Sequence, residues 1–449
     1  MKTQKHFHQK SIVRSCLFAL FLISIPNFTV ATNMQISENP DVKNYTVYKG
    51  IVVDQKSGSP IEFANMTIEG TTTSIVTNKE GEFTLKVPDE LSHAKVIVSY
   101  MGYKNKLVSI SSLKPKTSRI EMVQIPFQLR EVTVISKNAE TLIRDVMANK
   151  GNNYLDEPAR MTGFFRESIK KDDNYVSLSE AVVDIYKQPY TTFKTDVVKI
   201  HKARKKTNYT KSDIVAFKIR GGPYNTLDLD IIKNPELFFT ENMLSNYSFN
   251  LEGNTLIDNK MIYIVSFKPR HDKPEIPVPL YSGKIYIDAQ SLALKSAIFN
   301  LNIENKEMAS RLFNAKKPFR ATLYPLEATY RIDYREKDGK WYYGYSRIDL
   351  GFRIKWNKKL FDTNYYSTIE MAVIDWEPTK GMKPVSRKER LKPSAILVDR
   401  PTGFTESDFW GEHNIIEPDK SIESAIEKMK ENMEKQKANQ FIANEMENK

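Results

Sequence analysis

Residues 330–345 carry the sequence YRIDYREKDGKWYYGY, whose pattern decides the fold of the larger part of the chain. Over Tyr330–Arg335, apolar and charged residues alternate with the two-residue period of a β-strand. Lys337–Lys340 has the Asp-Gly pair of a tight hairpin turn at its centre. Because the alternation resumes over Trp341–Tyr345, these residues are predicted to form two long antiparallel strands.

The same alternation recurs at Phe352–Trp356 and at Ile369–Val373. Successive long strands with one aromatic face and one charged face are typical of a large antiparallel sheet whose charged face meets water. Residues 152–418 are therefore predicted to form a large curved antiparallel sheet or half-barrel.

The aromatic face of this sheet supplies candidate ligand contacts. If these side chains lined a hollow, they would stack on a sugar ring or bury a lipid chain. Core packing beneath a helix explains the same pattern and is the favoured alternative. The aromatic candidates are Tyr330, Tyr334, Trp341, Tyr343 and Trp356.

The region before this sheet, residues 45–136, consists of short alternating stretches separated by turn residues. Lys56–Pro60 and Asn78–Gly81 have the composition of turns. Gly81 and Gly102 stand where a turn needs a positive φ or a close backbone approach. With Glu131–Ile135 as its last strand, the region is predicted to be a small antiparallel sandwich of about seven strands.

Five segments of this region carry a resemblance to a known family. They are Gly50–Asp54, Pro60–Ala64, Ile68–Thr71, Thr77–Phe83 and Ser99–Tyr103. Their sequences and spacing resemble the carboxypeptidase-like regulatory domain, a transthyretin-like sandwich of seven strands that is common in Bacteroidetes envelope proteins. The resemblance implies an accessory module without zinc ligands and without peptidase activity.

The rest of the chain resembles the body of Bacteroidetes proteins in which this regulatory domain precedes a domain of unknown function. That resemblance implies no established activity. It is carried by Asn153-Tyr154, Phe164–Glu167, Glu180–Tyr186, Tyr281–Asp288 and Phe409–Asn414.

Two segments have helical rather than strand periodicity. Over residues 137–151, apolar residues recur at spacings of three and four, which predicts a linker helix between the two β regions. An apolar stripe that includes Ile422 and Met433 predicts a C-terminal amphipathic helix over residues 419–449, with a frayed end. Covering the sheet is its default role, and docking a partner is the alternative.

The first 31 residues have the features of a secretory signal peptide. A basic start leads into the apolar run Cys16–Ile25, and Thr29–Ala31 supplies the small residues of a cleavage site. The run is too short to span a bilayer, and no later stretch is apolar enough to do so. Residues 32–44 are then a flexible leader. Since cleavage also removes the only cysteine, the mature chain has no disulfide.

The remaining charge is modestly basic. Cleavage removes four basic and no acidic residues, which lowers the formal net charge from +12 to +8. An exported protein with this charge suits acidic glycans or lipid headgroups better than nucleic acid. The densest basic run offers Lys202, Arg204, Lys205 and Lys206 as candidate contacts to an anionic partner. A solvated strand edge is the favoured alternative for this run.

The search for catalytic chemistry finds no motif. The histidines of the mature chain, at positions 93, 201, 271 and 413, are never within forty residues of one another, which disfavours a zinc site. No nucleophile elbow or phosphate-binding loop is present. Asp228 and Asp230 form a closely spaced acidic pair, and capping or solvation is their favoured role. A scattered hydrolase site would need two of Asp228, Asp230, Glu304, Asp408 and His413 in one pocket.

Taken together, the sequence predicts a mainly β protein. It comprises a seven-stranded sandwich, a linker helix, a large curved antiparallel sheet or half-barrel, and a C-terminal helix. We expect a periplasmic or outer-membrane-associated protein without catalytic residues, metal or cofactor, which binds a glycan, a lipid or another envelope protein. The alternatives are a periplasmic hydrolase of glycans or peptides and a structural subunit of an outer-membrane complex.

Overall fold

The computed structural model describes residues 44–125, 138–207, 222–237, 239–257, 260–270, 280–303, 321–356, 362–380, 382–393, 409–424 and 426–427. All of them belong to one compact unit. The predicted signal peptide, nearly all of the leader and the predicted strand Glu131–Ile135 lie outside the described residues. The described part is mainly β, with an N-terminal sandwich and one large sheet, which confirms the predicted fold class.

The sandwich consists of two small sheets that enclose their own core. One sheet has the order β4-β1-β7 and the other the order β3-β2-β5-β6. The core between them is aliphatic apart from Phe83. The strands are β1 (Tyr45–Asp54), β2 (Asn65–Ile68), β3 (Ser74–Val76), β4 (Glu82–Pro88), β5 (Lys95–Ser99), β6 (Lys106–Ser109) and β7 (Ser118–Met122).

The large sheet has ten strands in the order β10-β9-β8-β17-β16-β15-β14-β13-β12-β11, and every pair is antiparallel. One of its pairings joins β8 to β17, which are separated by nearly half of the chain. The strands are β8 (Ala159–Lys171), β9 (Asn174–Lys187), β10 (Val197–Thr207), β11 (Tyr247–Ile257), β12 (Lys260–Pro269), β13 (Tyr281–Asp288), β14 (Leu294–Leu301), β15 (Ala321–Lys337), β16 (Lys340–Trp356) and β17 (Thr363–Pro378).

Among the described residues the helices are few and short. They are α1 (Ala139–Ala148), α2 (Lys150–Asn153), α3 (Pro223–Leu227) and α4 (Glu241–Leu244), together with 3₁₀ turns at Asp89–Leu91, Ile110–Ser112 and Pro235–Leu237. Residues 420–424 and 426–427 are also helical, where the C-terminal helix is predicted to begin, and the remainder of that predicted helix lies outside the described residues. The side chain of Asn138 caps α1 by accepting a hydrogen bond from the backbone N–H of Thr141. None of the described helices is both long and apolar enough to cross a lipid bilayer.

The predicted turns form as their residues require. Asp338 and Gly339 have φ angles of 52° and 79°, so both central residues of the hairpin are left-handed, as a type I′ turn demands. Gly81 has a φ of 72°, and a Cβ atom there would lie 2.6 Å from the carbonyl oxygen of Val52. A larger residue at position 81 would therefore suffer both backbone strain and a steric clash.

One face of the large sheet packs against helices, and we call it the helix face. It carries Phe165 and Met371, which belong to one core with Leu142 of α1 and Leu227 of α3. The hydroxyl of Ser346 on this face donates to the backbone carbonyl of Thr226, also in α3. The helix predicted as a linker therefore packs into the core of the large sheet.

The opposite face, which we call the sandwich face, corrects one expectation from the sequence. The charged side chains that alternate with the aromatic ones were expected to meet water, and Arg353 and Lys355 do so, but Arg335 and Glu370 are buried. The sandwich and residues 409–417 cover them, and Phe63 stacks on Tyr345 across the contact. Alternating charged residues predict a solvent-exposed face of a sheet only when no second layer of the protein covers that face.

Candidate functional site

The helix face contains a band of polar side chains on β9, β8 and β17, the second to fourth strands of the sheet. In the strand register, Ser179 of β9 lies opposite Glu167 of β8. In the next row, Ser177 of β9 and Ser367 of β17 flank Ile169 on its two sides. Residues directly opposite each other in antiparallel strands share a face and lie about 5 Å apart, so Ser179 adjoins Glu167, whereas Ser177 and Ser367 lie about 10 Å apart with Ile169 between them. We call these four residues the polar band.

The hydroxyls of the polar band are buried and lack hydrogen bonds. Ser177, Ser179 and Ser367 are each 1% exposed, and no described residue is a partner of any of their Oγ atoms. A buried polar group left unpaired costs about 1 to 3 kcal/mol, so folded proteins normally pair it with protein, water or ligand. Three such hydroxyls within two neighbouring rows of one face make this part of the sheet a candidate binding site.

The carboxyl group of Glu167 lies among these hydroxyls. Glu167 is 2% exposed, and burial raises its pKa to about 7, while Lys205 of β10 opposes the rise. Lys205 lies opposite Ser179 in the same row, so Ser179 stands between Lys205 and Glu167. Near neutral pH the carboxyl group is therefore close to half ionised, and it can both accept and donate a hydrogen bond.

An apolar cluster adjoins the polar band toward the outer end of the same strands. It begins at Ile169, which lies opposite Ser367, and extends toward the C-terminal end of β8. Leu350 packs against it. A polar group beside an apolar surface matches a molecule that has a polar head and a hydrocarbon chain. The members of the outer apolar cluster are Ile169, Val176, Leu323, Phe352, Ile354 and Tyr365.

If Glu167 is held at a cost to stability, replacing it should stabilise the protein in a pH-dependent way. Its folded-state pKa is raised from 4.5 to about 7, so as pH rises from about 4.5 to 7 the carboxyl group ionises in the unfolded chain but stays protonated in the folded one, and the free energy of unfolding falls. Glu167→Gln should raise the free energy of unfolding by up to about 3 kcal/mol more at pH 8 than at pH 4.5. Urea unfolding at the two pH values measures this difference.

The matched control for this measurement is Glu62→Gln, which changes an exposed carboxylate of the sandwich. It should show no such difference between the two pH values. Because any penalty from the buried amide of Gln is the same at both values, it cancels in the comparison. A Glu167→Gln effect that is equal at pH 4.5 and pH 8 would contradict the raised pKa.

The structure places the aromatic candidates from the sequence in the core of the helix face. Tyr334, Trp341 and Tyr343 are at most 3% exposed, and Tyr330 is half-buried against the same core. The hydroxyl of Tyr334 donates to Asp230 at 2.7 Å. The side chain of Trp356 lies outside the described residues, although its backbone ends β16.

The basic run on β10 divides between the two faces of the sheet. Lys202 and Arg204 lie on the sandwich face above the ring of Phe409, and Arg204 also pairs with Glu180 at 2.7 Å. Lys205 points to the helix face, in the row of Glu167. The side chain of Lys206 is outside the described part of the chain.

Asp230 is the centre of a second polar cluster on the helix face, and this cluster is fully hydrogen-bonded. One carboxylate oxygen accepts from Lys187 Nζ at 2.7 Å and from the hydroxyl of Tyr190 at 2.8 Å, and the other accepts from Tyr334. Lys187 also pairs with Asp196 at 2.6 Å. These bonds fix residues 222–246 onto the sheet.

Of the other candidates for a hydrolase site, the structure describes Asp228 and His413, and neither takes part in the cluster around Asp230. Asp228 is exposed, two residues along the chain. His413 lies in a polar cleft of about 330 Å³ between the sandwich and the sheet, with its ring 5.1 Å from that of His201. Burial, together with His201, lowers the pKa of His413. Glu304, Asp408 and His271 are outside the described residues.

The comparisons with known proteins support the sequence resemblance for the N-terminal part. Residues 48–134 match the family model of the CarboxypepD_reg-like domain, which confirms that resemblance. This part of the chain is thus a regulatory-type sandwich domain joined to a larger sheet. The search of curated proteins returns no match for this chain.

Solved structures give only distant likenesses. A DUF1329 family protein from Desulfovibrio piger is 10% identical, with a TM-score of 0.23, and the match covers 55% of this chain and 96% of that one. A LolA superfamily protein from Nitrosomonas europaea is 11% identical, with a TM-score of 0.22 and coverages of 57% and 98%. Lipovitellin, in a structure that describes its lipid–protein interactions, is 8% identical, with a TM-score of 0.25 and coverages of 53% and 27%. TM-scores this low support no inference about a ligand.

Proposed function

We propose that this protein is a non-catalytic binding protein that holds one small amphipathic molecule on the helix face of its large sheet. The polar head would lie on the polar band, and the hydrocarbon chain would lie on the outer apolar cluster. The observation that carries the proposal is the set of three buried serine hydroxyls without partners, next to the buried carboxyl group of Glu167.

The surroundings of the polar band favour binding over a purely structural role. The cluster around Asp230 shows how this fold pairs a buried acid when the acid serves stability, with four donors on two oxygens. By contrast, the described structure gives the three serine hydroxyls of the polar band no such partners. A ligand with hydroxyl or carbonyl groups would supply them, and its chain would bury further apolar surface.

The proposal places the protein in the cell envelope, with the sandwich as its recognition or assembly module. The predicted signal peptide motivates this location. Acyl lipids are abundant there and have the chemistry that the site requires. A lipid is therefore the proposed partner, in preference to a glycan or a second envelope protein.

Removing the hydroxyls of the polar band should weaken binding without weakening the fold. The triple variant Ser177→Ala, Ser179→Ala and Ser367→Ala removes three unpaired groups, so the free energy of unfolding should stay constant or rise by about 1 kcal/mol. Affinity for a fluorescent monoacylglycerol should fall at least about tenfold, since each lost hydrogen bond costs about 1 kcal/mol. Fluorescence titration and urea unfolding measure the two effects.

Ser168→Ala is the matched control. Ser168 is a buried serine on β8, the strand between β9 and β17, and its side chain lies on the sandwich face. It should leave affinity unchanged. If the triple variant unfolds more easily and binds as tightly as the native chain, the hydroxyls are structural and the proposed site is wrong.

A further inference from the structure

We infer that the molecule bound at the polar band has an uncharged head that bears hydroxyl groups, as a monoacylglycerol has, rather than a carboxylate or phosphate head. This inference rests on the proposed function, because it names the ligand class of the same site. Its basis is the set of groups that lie around the unpaired hydroxyls.

The centre of the polar band offers hydrogen-bonding groups with an acid among them. The three unpartnered hydroxyls lie on β9 and β17, and Glu167 lies between those strands on β8. A head that reaches all three hydroxyls therefore contacts the carboxyl group as well. An anionic head would place a second negative charge beside Glu167 in a buried site, where like charges repel strongly.

The charged groups of the neighbouring strands do not favour a charged head of either sign. Lys205 of β10 is separated from Glu167 by Ser179. Lys171 lies opposite Tyr365 at the outer end of β8, beside the apolar cluster. Facing positions on β17, β16 and β15 hold Ile369, Ile348 and Tyr330. Among the described residues, an acid at the centre and lysines at the margin leave neither an anion nor a cation fully compensated.

An uncharged polyol head satisfies the groups that are present. Each serine hydroxyl can donate to an ester carbonyl or accept from a ligand hydroxyl. A ligand hydroxyl can donate to the ionised carboxylate of Glu167, and hydrogen bonds to a charged group are stronger than neutral ones. Binding of such a head favours ionised Glu167, whereas a carboxylate head favours the protonated form.

The test compares 1-monolauroylglycerol with laurate, which share one chain and differ in the head. Calorimetric titration of the full mature chain, residues 32–449, is carried out at pH 6 and pH 8, below the aggregation concentration of each lipid. The carboxyl group, with a pKa of about 7, goes from about one-tenth to nine-tenths ionised over this interval. Monolauroylglycerol should therefore bind up to about tenfold more tightly at pH 8 than at pH 6.

Laurate should show the opposite pH dependence and bind at least about tenfold more weakly than monolauroylglycerol at pH 8. Glu167→Gln should remove the pH dependence of both ligands and strengthen laurate binding at pH 8, while Glu62→Gln should change neither. Laurate that binds the native chain at pH 8 as tightly as monolauroylglycerol overturns the inference but leaves the proposed function standing. If neither lipid binds, the proposed function falls together with the inference.

Discussion

Replacing Asp230 with alanine should lower the free energy of unfolding by about 3 to 5 kcal/mol, the cost of removing one member of a buried ion pair. The substitution leaves Lys187 with a single acidic partner and leaves the hydroxyls of Tyr190 and Tyr334 without their acceptor. All three side chains are at most 1% exposed, so water cannot replace the lost oxygen atoms. Guanidinium unfolding followed by tryptophan fluorescence measures the loss.

Asp228→Ala is the control, because it removes an exposed carboxylate two residues away in the same segment. An exposed change of this kind should cost less than about 0.5 kcal/mol. Equal losses for the two variants would mean that the network around Asp230 contributes nothing beyond local chain effects. The comparison also separates the two acids that the sequence alone presents as one pair.

Arg166→Met should cause a loss of similar size on the sandwich face, about 3 to 5 kcal/mol. Arg166 is 1% exposed and donates to Glu180 at 2.7 Å, to Glu370 at 3.3 Å and to the backbone carbonyl of Ile416 at 2.8 Å. Methionine fills much of the volume but leaves these acceptors with fewer donors. Chemical unfolding measures the loss, and limited proteolysis should show faster cleavage within residues 409–417, which Arg166 helps to hold.

The same strand provides the control. Arg160 forms an ion pair with Glu377 in which the side chains are 40% and 49% exposed, and such surface pairs contribute less than about 1 kcal/mol. Arg160→Met should therefore leave both stability and the proteolysis pattern nearly unchanged. If Arg166→Met proves as mild as Arg160→Met, the buried charges of the sandwich face do not hold the layers together.

The local patterns of the sequence predict much of this fold. The Asp338-Gly339 turn and the alternation around it depend on residues close in the chain, so the β15–β16 hairpin follows from them directly. The sandwich is predicted by short alternating stretches of sequence that are separated by turn residues. The sequence does not show that the sandwich covers the large sheet, because Phe63 and Tyr345 meet across 281 intervening residues. The prediction that Arg335 and Glu370 are exposed to solvent was wrong for this reason.

The polar band is harder to predict, because Glu167 and Ser367 come together only through the pairing of β8 with β17. Nothing near either residue in the sequence indicates that pairing. A local signal does exist at Ser177 and Ser179, which are two residues apart within a strand whose central residues are all buried. Serines repeated on the buried face of a strand are unusual enough to mark a candidate site.

Photolabelling with a monoacylglycerol that carries a diazirine near the end of its chain tests the central claim most directly. The account predicts saturable labelling that excess unlabelled monoacylglycerol suppresses, with adducts on peptides that contain Val176, Leu323, Phe352 or Tyr365 of the outer apolar cluster. Adducts confined to the sandwich domain or to residues 409–417, or labelling that excess lipid does not suppress, would contradict it.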